Sequence, residues 1–185
     1  MKKSYDYFKT LKLLSESVSV IYEKALFKQD FSSERILFFA EKSELINNLQ
    51  NDFITPLERG DIFLLEESLC EELISVFTLQ ERLNLVSCKN FEELKCIEKV
   101  LKTQNRIISQ LVNFKSNLKL FEQCSQEIKN INAIKKNIEK HIVEAISCQS
   151  EQPLVKYVTY SALLDLNGKI QKTILQTERI LIDNG

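Results

Sequence analysis

Proline and glycine are nearly missing from this chain, at two and three among 185 residues. These residues most often end helices and build tight turns, so their scarcity favours long helices over a turn-rich β architecture. Tryptophan is absent and histidine occurs once, as His141. A zinc site of the Cys/His kind needs clustered ligands, which one imidazole and scattered thiols do not supply. No Ser-His-Asp motif is present either. The cysteines, Cys70, Cys88, Cys96, Cys124 and Cys148, form no C-x-x-C pair. Each falls in a helical pattern and reads as a reduced, buried small hydrophobe. An excess of one charge is missing too: 25 basic residues face 26 acidic ones. Nothing marks nucleic acid as a partner. No run approaches the ~20 apolar residues that span a bilayer, ILFFA at 36–40 being the nearest. Lys9, Lys12 and Glu16 interrupt the apolar core a secretion signal would need. The expectation is a cytoplasmic protein without direct membrane insertion.

What is present is apolar residues at steps of three and four along almost the whole chain. Leu11, Leu14, Val18, Ile21 and Ala25 predict a first helix from about Tyr5 to Phe27. Ser32 or Ser33 can cap a second, with the stripe Ile36, Phe39, Ser43, Ile46, Gln50 and Phe53. For the third, Thr55 can be the N-cap, Pro56 the first helical residue and Glu58 the reciprocal capping-box acid. A start at Asp61, after Gly60, is the alternative. Ile62, Leu65, Leu69, Leu73, Val76 and Leu83 carry this helix to about Val86. Asn90 with Glu93 repeats the capping spacing and opens a fourth, lined by Leu94, Ile97, Leu101, Ile108 and Leu111. A break is expected near Asn113–Asn117, with one continuous helix as the alternative. The fifth stripe is Phe121, Cys124, Ile128, Ile131, Lys135, Ile138, Ile142 and Ala145. The sixth starts near Pro153 and runs through Leu163, Leu166, Ile170, Ile174 and Leu181 to Asn184.

The two prolines each open the third helix of a half. At that offset Leu69, Leu73 and Phe77 correspond to Leu166, Ile170 and Ile174. Short connections make neighbouring helices antiparallel. The predicted fold is all-α: one domain over 1–185, six antiparallel helices as two tandem three-helix bundles, with halves 1–88 and 89–185.

Residues 53–65, FITPLERGDIFLL, resemble the F-I-T-P-(I/F)-D-R-E-D-I stretch of the PhoU-like phosphate transport regulators, a group linked with Pit-type inorganic phosphate permeases. The match is Phe53, Ile54, Thr55, Pro56, Glu58 in place of Asp, Arg59, Asp61 and Ile62. The last helix resembles the family's own, with Leu154, Lys156, Leu163 and Leu164 in register, and DYFKTLKLLSESV resembles its first. The likeness covers nearly the whole chain, and 53–62 is its specific part. It implies two tandem three-helix bundles. It also implies a cytoplasmic, non-enzymatic regulator of phosphate uptake, acting by contact with a permease or a sensor kinase.

Many members hold iron or zinc clusters through Glu/Asp-x-x-x-Asp pairs, since carboxylates four apart share a helix face. In register with the Phe53 motif, those places fall here on Arg35 and Phe39, on Cys70 and Glu71 with Ile74, on Lys135 and Glu139, and on Asp165 and Lys169. No pair is complete, and a protonated lysine cannot coordinate. A one-turn slip brings in Glu41 and Glu44. The likeness thus implies a member without a metal or other cofactor.

Four acids stand out as a candidate face for a partner, or a weak metal face: Glu58, Asp61, Glu67 and Glu71. Glu58 and Asp61 suit the positive end of a helix dipole. Glu67 and Glu71 are one turn apart, and like charges there cost only ~0.2–0.5 kcal/mol, so a solvated face explains them without a cation. Lys135 can snorkel to water or contact an anion; with Ser43 and Gln104 it can also fix helix register. Leu37, Phe38 and Phe39 suit a core, and so many apolar positions around one helix also suit a partner or homodimer face. Two other functions therefore stay open: a self-associating scaffold unrelated to phosphate, and a carboxylate metal-binding bundle. The di-iron kind of the latter needs Glu-x-x-His from two helices, which a lone His141 cannot give.

Overall fold

A computed structural model describes residues 5–52, 54–86, 91–116, 118–147 and 152–184. Among them there are six α-helices and no strand: α1 (Tyr7–Leu26), α2 (Ser32–Asn51), α3 (Arg59–Asn84), α4 (Glu92–Ser109), α5 (Leu118–Ile146) and α6 (Pro153–Asn184). A short 3₁₀ segment, Leu111–Ser116, separates α4 from α5. Phe53, Cys88, Asn90 and Cys148 lie outside the described residues.

Local chemistry fixes several ends. The Asp6 carboxylate accepts from the Lys9 N–H at 3.0 Å and caps α1. At the other end Gln29 N donates to the Lys24 carbonyl at 2.9 Å and Lys28 N to that of Ala25 at 3.3 Å. This is a Schellman turn, with Lys28 (φ 55°) in the left-handed position that glycine usually fills. Ser32 does not cap α2: Phe31 is the cap residue, and the Asp30 carboxylate takes the Ser32 N–H (3.0 Å) and hydroxyl (2.6 Å). Nor does Thr55 cap α3. Its hydroxyl donates to the Leu57 carbonyl at 2.6 Å, and the helix begins at Arg59 after Glu58, between the two expected starts. At α4 the cap residue is Phe91. The expected break near 113 is present, beginning at Gln110, and Asn113 has non-helical angles (φ −108°, ψ 26°).

α1 packs against α2, α3 and α4, and α6 against α3, α4 and α5. The stripes read for α1, α3, α4 and α6 are all buried. Two others are corrected. On α2 the buried residues are Phe38, Leu45 and Leu49, while Ile36, Leu37, Phe39, Ser43 and Gln50 face solvent. Between Phe38 and Leu45 the inner seam carries Lys42. On α5 the buried set is Leu120, Cys124, Glu127, Ile131, Ile138 and Ala145. Lys135 points out and pairs with Glu139 at 3.8 Å, while Phe121, Ile128 and Ile142 flank the core half-buried. Of the described cysteines Cys124 is buried, Cys70 and Cys96 half-buried, and none is bridged.

Candidate functional site

The four singled-out acids have four different surroundings. Glu58 is exposed at the α3 cap. Asp61, one turn in, is buried against the far end of α6, where the Gln176 and Asn184 side-chain amides donate to its two oxygens at 3.4 and 3.3 Å. Glu67 is half-buried. Glu71 is held by two lysines of α6, Lys172 Nζ at 2.9 Å and Lys169 Nζ at 3.3 Å. The Lys172 contact leads in keeping its carboxyl below the usual glutamate range, with Lys169 adding to it against the cost of burial.

The places matched to the family's metal pairs tie helices together. Asp165 on α6 accepts from the Ser75 hydroxyl of α3, and Lys169 holds Glu71. Lys135 and Glu139 pair with each other on α5, while Arg35, Phe39 and Ile74 are exposed. Among the described residues no three His, Cys, Asp or Glu side chains are grouped to share a metal ion. Along α6, Ser161, Leu164, Asp165, Gly168, Lys169 and Lys172 line a shallow groove. A Cβ added at Gly168 would meet open space.

The strongest polar features are ones the sequence reading passed over. Glu66 and Glu72 of α3 are fully buried. Glu66 Oε1 lies 2.6 Å from Lys42 Nζ on α2. Burial pulls the lysine down, but Glu66, helped by Cys70, more than offsets this and holds its ammonium above the ordinary range. Glu72 receives a 2.8 Å bond from the Gln104 amide of α4, itself fully buried. A helical signal for both acids existed: each stands three residues from Leu69, within about 60° of it, whereas Glu67 and Glu71 stand about 160° away.

His141 is a joint. Its Nε2 lies 3.1 Å from Glu93 of α4 and its Nδ1 2.9 Å from Glu144 of α5, and its ring stacks on Tyr160 of α6 at 5.0 Å. Tyr22 of α1 donates to the Leu94 carbonyl of α4 at 2.8 Å from full burial. Burial pushes the Cys124 thiol up to about 12, which keeps it protonated and unreactive at neutral pH. His141 and Tyr22 thus fasten helices to one another. On the outside, α2 exposes Ile36 (66 %) and Leu37 (60 %) beside a partly exposed Phe39. Among the described residues no helix is long and apolar enough to cross a membrane. No family model matches the chain, and no curated protein matches it either.

Proposed function

We propose that this protein is a non-enzymatic, cytoplasmic regulator of the PhoU-like kind, built as two tandem three-helix bundles with halves 1–88 and 89–185. It modulates inorganic phosphate uptake by contact with a Pit-type permease or a sensor kinase. The observation that carries the contact function is the outward apolar side of α2, Ile36, Leu37 and Phe39, on a helix that buries only Phe38, Leu45 and Leu49. The link to phosphate rests on the likeness of residues 53–62. At Glu71 the positive charge comes from Lys169 and Lys172, the chain's own ammonium groups.

The test is co-purification of the full chain with the permease or kinase, combined with phosphate uptake in a deletion strain. Capture lost in Ile36→Glu with Leu37→Glu, and altered uptake on deletion, are expected. No capture by the folded parent chain and unchanged uptake overturn the proposal. The second reading, a self-associating scaffold, draws on the same surface. It predicts dimers by light scattering that the double glutamate variant converts to monomers. Metal analysis of protein prepared without chelator separates the third: stoichiometric iron or zinc, lost in Glu67→Ala with Glu71→Ala, would establish a carboxylate metal site.

A further inference from the structure

We propose that Glu72 is a proton-carrying joint: a neutral carboxylic acid that donates its own hydrogen bond within the α3–α4–α6 core and loosens that core when it ionises. The inference stands apart from the partner and from phosphate. Glu72 and Gln104 are both at 0 % exposure. The Gln104 amide nitrogen donates to Glu72 Oε2, which leaves Glu72 Oε1 and Gln104 Oε1 without partners among the described residues. An ionised carboxylate and an amide oxygen can only accept, so two buried acceptors would both go unmet, at the full desolvation cost. A proton on Oε1 turns one of them into a donor.

The surroundings offer an acceptor for that proton, the unpartnered Gln104 Oε1. The Thr173 hydroxyl of α6, bonded to the Lys169 carbonyl at 3.3 Å, also acts on the carboxyl group and works against the proton rather than for it. Nothing nearby supplies a balancing charge. No charged side chain of α1, α2, α4 or α6 acts on Glu72 among the described residues. The neighbouring acids of α3 are engaged elsewhere, Glu66 by Lys42 and Glu71 by Lys169 and Lys172. Burial, partly countered by Thr173 and Gln104, pushes the group up to about 7 from an ordinary 4.5.

The sign follows from linkage. Below pH 4.5 the folded and unfolded chains both hold the proton, and the joint costs nothing. Between 4.5 and about 7 the unfolded chain gives it up and the folded chain keeps it, so stability falls as pH rises. The folded-to-unfolded ratio loses roughly tenfold per pH unit across that window, then levels off.

The experiment follows the carboxyl carbons of ¹³C-labelled full-length protein through a pH titration, alongside urea unfolding at each pH. The Glu72 carbon should titrate near 7, and Glu72→Gln, whose amide keeps a donor toward Gln104, should remove the fall in stability between 4.5 and 7. A Glu72 carbon titrating near 4.5, or the same stability profile in Glu72→Gln as in the parent, overturns the proposal. If Glu72→Gln does not fold, sequence-specific assignment of the parent's carboxyl carbon decides alone.

Discussion

α2 and α5 are held in the bundle in different ways. α5 lies along α6 and buries Leu120, Cys124, Ile131, Ile138 and Ala145. α2 leans on α1, touches α3 lightly, and buries three apolar side chains. Where α5 has Ile131 and Ile138 on its inner face, α2 has Lys42 between Phe38 and Leu45, matched to Glu66. The difference teaches that a helix can be fastened by one charge pair in place of a continuous apolar seam, with Ile36, Leu37 and Phe39 left outside. A pair with its acid fully buried adds little net stability and is costly to break.

The largest effect belongs to the apolar seam. Ile138→Ala should cost about 4 kcal/mol by urea unfolding and weaken the bundle as one cooperative unit. Lys42→Ala comes next, at about 3 kcal/mol, because it strands the Glu66 carboxylate. Replacing both, Lys42→Met with Glu66→Met, should return stability to within about 1 kcal/mol of the parent. If the double variant is as unstable as the single one, α2 is not held by the pair and the contrast with α5 fails. Hydrogen exchange sharpens it: α2 amides should exchange faster than those of central α5, since fewer apolar contacts hold them.

Smaller effects follow on α3. Glu71→Gln should cost less than about 1 kcal/mol, because its lysine partners are partly exposed. The parent's contribution from Glu71 is present above the ordinary glutamate range and is lost as pH falls through the lowered value. Comparing unfolding of the two proteins across acid pH reads it. Thr55→Ala should cost roughly 0.5 kcal/mol, less than the ~1 kcal/mol typical of a lost N-cap, because its hydroxyl serves the Leu57 carbonyl.

Periodicity revealed most of the fold, because α1, α3, α4 and α6 each offer one apolar face. The end of the chain's third helix was placed within two residues, as Leu83 is the last apolar residue in phase. α2 defeated the same reasoning. ILFFA supplies apolar side chains on every side, and the inward face also carries Lys42, paired with a residue 24 positions away that no local window contains. On α5 the inner face runs through Leu120, Cys124, Glu127 and Ile131, one flank over from the apolar stripe in the sequence, which leaves Lys135 outside. Burial holds the Glu127 carboxyl above its usual range, with an Asn130 hydrogen bond opposing. The candidate acids were less legible still. Their spacing named Glu67 and Glu71 as a pair, whereas lysines a hundred residues downstream decide what Glu71 does.

The clasp on Asp61 bears on how the chain is made. The amides that satisfy this buried carboxylate belong to Gln176 and Asn184, and the second contact spans 123 positions. A ribosome must therefore release almost the whole of α6 before the opening turn of α3 finds its partners. Until then the newborn α1–α3 segment carries an acid and the leucine row of α3 with no α6 to meet them. Until residue 184 is made, the buried acid at the start of α3 lacks the amides that satisfy it.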